Sequence, residues 1–164
     1  DVLGDSKIRP NQLFALSLTY PVIDVDSEIA KNIIDVVEKK LLNAYGLKTL
    51  AKGEENYVEV YEGDAFKRDS SYHQGITWPW LLGLYYNALI NMKEEAKDEE
   101  RELLENKIDK IVEKTTKTFK KEIIENGCIG SISELYDSVK PQLPKGTIAQ
   151  AWSVAEVFRI MMKK

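Results

Sequence analysis

The chain has 164 residues, of which 43% are hydrophobic and 30% charged, a balance that suits one compact globular domain with a sizeable core. Lys and Arg total 23 against 27 for Asp and Glu, and the net charge of -4 removes any electrostatic case for nucleic acid or an anionic membrane as partner. A single cysteine, Cys128, and a single histidine, His73, exclude an intrachain disulfide and a Cys/His zinc site, so no metal or other cofactor is expected and a cytoplasmic home follows.

The start, Asp1-Val2-Leu3-Gly4-Asp5, has no basic or apolar leader pattern and no initiator methionine, which reads as a fragment boundary. No stretch approaches the roughly 20 apolar residues that span a bilayer. Residues 11–20 form a short apolar segment. Ser27 then offers an N-cap for an amphipathic helix over 27–43, with Ile29, Ile33, Ile34, Val37, Leu41 and Leu42 on the helical period. Gly46 stands where a C-terminal cap would follow.

From 47 to 71 the periodicity disappears, and Tyr57, Tyr61 and Phe66 sit in a long loop of the kind that is usually functional. Any strand pairing is expected only within 47–66. The run from Trp78 to Ile90 is apolar on nearly every side, which predicts a helix over 80–92 buried all round. Residues 94–126 alternate Glu and Lys around one apolar stripe through Leu103, Leu104, Ile108, Ile111, Val112, Thr115 and Phe119, an amphipathic helix whose charges are a solvated face. Gly127 closes it. Past an irregular stretch with Pro141, Pro144 and Gly146, residues 148–162 predict a last helix, apolar on most sides. The fold class is therefore all-α, and buried helices alternating with amphipathic ones suggest two concentric layers.

The densest chemistry lies in Arg68-Asp69-Ser70-Ser71-Tyr72-His73-Gln74-Gly75-Ile76-Thr77-Trp78-Pro79-Trp80. Sugars need this mixture: Arg, Asp and Gln groups meet hydroxyls, and flat rings pack on the apolar face of a pyranose. Isolated residues of these kinds would read instead as core tryptophans and a surface Arg68–Asp69 pair. A second constellation joins Ser133-Glu134-Leu135-Tyr136-Asp137 to Gly146-Thr147-Ile148-Ala149-Gln150-Ala151-Trp152-Ser153. Glu134 among apolar neighbours could be tuned as a general base, with Tyr136 or Gln150 orienting its water; the alternative is an ordinary solvated residue or helix cap.

Together these stretches resemble the amylo-alpha-1,6-glucosidase domain of glycogen-debranching enzymes, especially the bacterial and archaeal type. The resemblance also takes in Arg9-Pro10-Asn11-Gln12, Tyr45-Gly46-Leu47-Lys48-Thr49-Leu50 and Tyr61-Glu62-Gly63-Asp64. It is most specific in Tyr72-His73-Gln74-Gly75, Trp78-Pro79-Trp80 and Ala149-Gln150-Ala151-Trp152-Ser153-Val154-Ala155-Glu156. It implies that residues 1–164 are the C-terminal part of an (α/α)6 toroid, glucoamylase-like, that hydrolyses alpha-1,6 branch linkages of a branched alpha-glucan or oligosaccharide with inversion. In that frame Glu134 matches the general base, and Arg68, Asp69, His73, Gln74, Trp78, Trp80, Gln150 and Trp152 are the expected substrate-binding residues. The general acid is expected on an earlier hairpin in the remainder of the parent chain, so the fragment alone is expected to be inactive and to self-associate through uncovered helix faces. Ser138-Val139-Lys140 after Asp137 departs from the glycine-bearing turn of the family pattern. The competing readings are a non-catalytic carbohydrate-binding helical module and a trehalase- or invertase-like toroid enzyme; the Ala149–Trp152 run favours debranching.

Overall fold

A computed structural model describes residues 4–163; Asp1, Val2, Leu3 and Lys164 lie outside it, and with them the start of the expected fragment boundary. After a 3-10 turn, Pro10–Leu13, and the short helix α1 (Phe14–Ser17), the chain enters α2 (Glu28–Lys40). Ser27 caps it as its sequence suggests, its side chain accepting from the Ala30 N–H at 3.2 Å. Ala30, Ile34 and Val37 form its buried face.

Gly46 is not the cap of α2, which ends at Leu41. It lies in the turn beyond, where a Cβ would sit 2.3 Å from the Trp78 carbonyl oxygen. The residue is glycine because two backbones touch there. The expected loop over 47–71 also ends differently, in the helix α3 (Ala65–Ser71), whose cap Asp64 accepts from the Lys67 N–H at 2.9 Å. Seven residues make too few turns for an apolar period to show.

The buried helix is α4 (Leu81–Glu95), packed against α1 and against α5 (Asp98–Glu125) and α6 (Ala151–Met161). Leu82 and Leu89 are closed off from solvent on it, each worth about 1.5–3 kcal/mol of apolar burial. The predicted helix over 94–126 is split: Glu94 and Glu95 finish α4, and Ala96 and Lys97 are extended. Asp98, Glu99 and Glu100 fill the first turn of α5, where the helix dipole favours acids. Of its expected stripe, Leu104, Ile108, Ile111, Thr115 and Phe119 are buried, Val112 is half-buried and Leu103 is exposed, while burial continues, against the pattern, into Glu122. The last helix starts three residues later than predicted and buries only Ser153, Val157 and Ile160. Trp152 is half-exposed and Phe158 exposed, because α6 is only partly covered by the described residues.

Strand pairing is not confined to 47–66. Four two-residue strands, β1 (Leu47–Lys48), β2 (Thr77–Trp78), β3 (Leu135–Tyr136) and β4 (Pro144–Lys145), form one antiparallel sheet in that order. Leu47 faces Trp78, Thr77 faces Tyr136, and Leu135 faces Lys145. The six α-helices and this small clip are the all-α, glucoamylase-like toroid class the resemblance implies. The clip gathers the loops after α2, before α4 and before α6 onto one end of the helical frame.

Candidate active site

Glu134 immediately precedes β3 and is buried. Its backbone N–H donates to the Thr147 carbonyl at 2.9 Å, so the pairing of β3 with β4 continues past the strands and fixes the residue in place. Around the carboxylate stand three donors. The Tyr72 hydroxyl and, at 3.4 Å, the Gln150 amide reach Oε1, and the Thr147 N–H reaches Oε2 at 2.9 Å. Gly146, at φ 69°, lies so close that a Cβ would be 2.4 Å from Oε2. An ionised carboxylate offers about four lone-pair sites, so three neutral donors hold the group and leave capacity for a water.

Glu134 lies on a cleft of about 740 Å³ lined also by Tyr61, Ala65, Arg68, Asp69, Tyr72, Lys145, Gly146 and Thr147. Helix α3 delivers Arg68 and Asp69 to its rim, both exposed, with Arg68 donating to the Gly63 carbonyl. Tyr72 follows α3 directly. Burial and the adjoining Glu134 carboxylate both raise its hydroxyl well above the ordinary phenol range, so it stays a donor.

His73 and Trp80 face a different cavity, of about 280 Å³, shared with Arg9, Pro10, Asn11, Thr49, Trp78 and Leu81. Between the two spaces stands an aromatic wall. Tyr72 meets Trp78 edge-on with centroids 4.7 Å apart, and His73 stacks on Trp78 at 5.2 Å and 19°. Trp78 is buried and its indole N–H donates to the Tyr72 carbonyl at 3.1 Å. Arg9 locks the loop behind this wall, donating to the Thr49 carbonyl at 3.1 Å, the His73 carbonyl at 2.8 Å and Gln74 Oε1 at 3.0 Å. Burial and the Arg9 charge push His73 below its ordinary value, against the opposite pull of Asp69 and Glu134. Trp80 stacks in parallel on half-exposed Trp152, 5.0 Å away at 17°.

The structure thus brings Glu134, Arg68, Asp69 and Gln150 together and sets His73, Trp78, Trp80 and Trp152 on the other side of Tyr72, with Gln74 tied to Arg9. One expected contact is corrected. Tyr136 does not orient anything at Glu134: it is fully buried, and its hydroxyl donates instead to Glu122 Oε1 at 3.0 Å. Glu134 stands just outside the two-residue strand that carries Tyr136, so strict alternation of faces does not govern the pair, and the tyrosine ring packs on Tyr45 and Phe119 in the core. Tyr72 takes the place at Glu134, 62 residues away in sequence. Arg9, Lys145 and Thr147 were also missed as site residues. Arg9 left a signal in the Arg9-Pro10-Asn11-Gln12 run and Thr147 in the run that begins at Gly146, whereas Lys145 left none.

The helical frame thus sets a buried carboxylate on an open cleft with charged and aromatic rims. The family model for amylo-alpha-1,6-glucosidase matches residues 1–159, and the chain belongs to that family. It is thereby a glycosidase domain related to glycogen debranching, with carbohydrate as the substrate class and a larger parent enzyme as its context. No helix among the described residues is long and apolar enough to cross a membrane.

Proposed function

We propose that the chain supplies the base side of a site that hydrolyses alpha-1,6 branch linkages of glycogen or limit dextrin with inversion, Glu134 being the general base. The observation that carries this is the Glu134 carboxylate itself: buried, on the cleft, held by three neutral donors and, among the described residues, paired with no cation. An inverting hydrolase holds its water on such a group, with the acid about 6.5–9.5 Å away. The acid belongs to the remainder of the parent chain, so the 164 residues alone release no glucose.

Arg68 and Asp69 meet the sugar hydroxyls directly. Their charges, with those of Lys145 and Glu134, balance around the cleft, which suits a neutral polyhydroxylated ligand. His73 and the stacked Trp80–Trp152 pair offer ring surface to a further sugar unit, while Gln74 and Trp78 keep the wall behind them in shape and Gln150 holds the base. The exposed apolar face of α6 supports packing on the remainder of the parent chain and, without it, self-association.

The test is Glu134→Gln in the full-length protein, assayed for glucose release from branched limit dextrin. Loss of a general base lowers turnover by about 10²–10⁴-fold, with dextrin binding retained. Near-normal turnover overturns the assignment and leaves a carbohydrate-binding module as the better reading.

A further inference from the structure

Three residues beyond Glu134 lies a second carboxylate that the base reading does not use. Asp137 is 3% exposed. Its Oδ1 accepts the Tyr61 N–H at 2.8 Å, its Oδ2 lies 3.7 Å from Lys145 Nζ, and its own N–H donates to the Leu143 carbonyl at 3.0 Å. Two of those partners, Tyr61 and Lys145, are cleft-lining residues from separate segments. One buried charge therefore fixes both.

Lys145 has no other ion-pair partner among the described residues. At 3.7 Å its ammonium is attracted to Asp137 without a short hydrogen bond, so the head is aimed while its three donors stay available. The register that sets Leu135 against Lys145 puts it beside the base, and Gly146, next in the chain, lies on the Glu134 carboxylate. A cation buried for most of its length, held at one end by a buried acid and opening on the cleft, is placed to donate to a ligand.

We infer that Lys145 is a substrate-binding residue that donates to hydroxyls of the sugar lying beside Glu134, and that Asp137 is a positioning residue that aims Lys145 and fixes the Tyr61 segment. This rests on the reading of the cleft as a sugar site, though not on Glu134 acting as base.

The experiment is calorimetric titration of the full-length protein, carrying Glu134→Gln to suppress turnover, with branched limit dextrin. Lys145→Met weakens binding about tenfold, the loss of one hydrogen bond from a charged donor, and lowers the melting temperature as well, because buried Asp137 loses its cation. Lys145→Arg restores binding to within about threefold, since the cation is kept. Asp137→Asn weakens binding in the same direction, and the pair of changes is no worse than Lys145→Met alone because both act through one contact. Binding by Lys145→Met within about twofold of its background, or losses that add, overturns the inference. If Asp137→Asn does not fold, the Met and Arg variants at 145 decide alone. Turnover surviving Glu134→Gln sinks the base assignment yet leaves these binding differences readable.

Discussion

Two spaces meet at Tyr72, and they are built on opposite principles. On one side, Arg68, Asp69, Lys145 and Glu134 line a wide cleft, and Glu134 keeps hydrogen-bonding capacity to spare. On the other, the polar groups are bonded to one another. Arg9 donates to the Thr49 and His73 carbonyls and to Gln74 Oε1, and Trp78 gives its N–H to the Tyr72 carbonyl. The second cavity offers a ligand chiefly ring surface, with the His73 imidazole among its polar groups. Damage to the cleft should therefore appear in turnover, and damage behind the wall in stability.

The sharpest break of that contrast comes from Gly146→Ala. A Cβ there would lie 2.4 Å from Glu134 Oε2 and 3.1 Å from the Leu135 side chain, at a φ of 69°, and the base must shift. Displacement by about an ångström costs on the order of 100-fold in turnover, read as kcat on limit dextrin in the full-length protein. Unchanged kcat would mean that the carboxylate position does not matter. Behind the wall, Arg9→Met removes three charged hydrogen bonds and should lower unfolding stability by about 2 kcal/mol or more, measured by denaturant titration, while kcat in the folded protein falls far less. A smaller step is Tyr72→Phe. It removes one donor from Glu134 without opening the wall, so turnover should fall about tenfold with dextrin affinity preserved; a fall in affinity alone would put Tyr72 among the ligand contacts instead.

The smallest effect concerns pH. Because burial and Arg9 lower the His73 value in the folded chain, the unfolded chain binds that proton more readily. The stabilisation is present above the unfolded value, about 6.5, and is lost as pH falls through the lowered folded value. The melting temperature should drop more steeply between about pH 7 and 5 than in His73→Gln. Parallel curves would show that the ring is not covered.

Legibility in the sequence followed the length of the signal. Helices α2, α4 and α5 have several turns of apolar period, and their existence could be read directly; the Ala96–Lys97 break was foreshadowed by the acids Asp98 to Glu100 but hidden inside one continuous charge pattern. The sheet could not be read at all, since two-residue strands have no alternation to detect. Yet that sheet assembles the candidate site. Arg68 through Trp80 looked like one constellation because the residues are adjacent in the chain. Their division into two spaces depends on Tyr72 turning toward a glutamate 62 positions away. Lys145 was invisible for the same reason, and Asp137, though named beside Glu134, had no role to be read: a lysine after proline and before glycine has no distinguishing pattern until β4 brings it beside the base.

The most direct test of the central claim is chemical rescue. In the full-length protein, Glu134→Ala removes the group that activates water while leaving space on that face of the sugar, and azide can attack there without a base. Turnover that is nearly absent in the variant, returns with added azide, and yields a glycosyl azide of anomeric configuration opposite to the substrate bond is the predicted result. Azide that restores nothing while the variant keeps substantial hydrolysis, or a product of retained configuration, would contradict the assignment of Glu134 as the base of an inverting site.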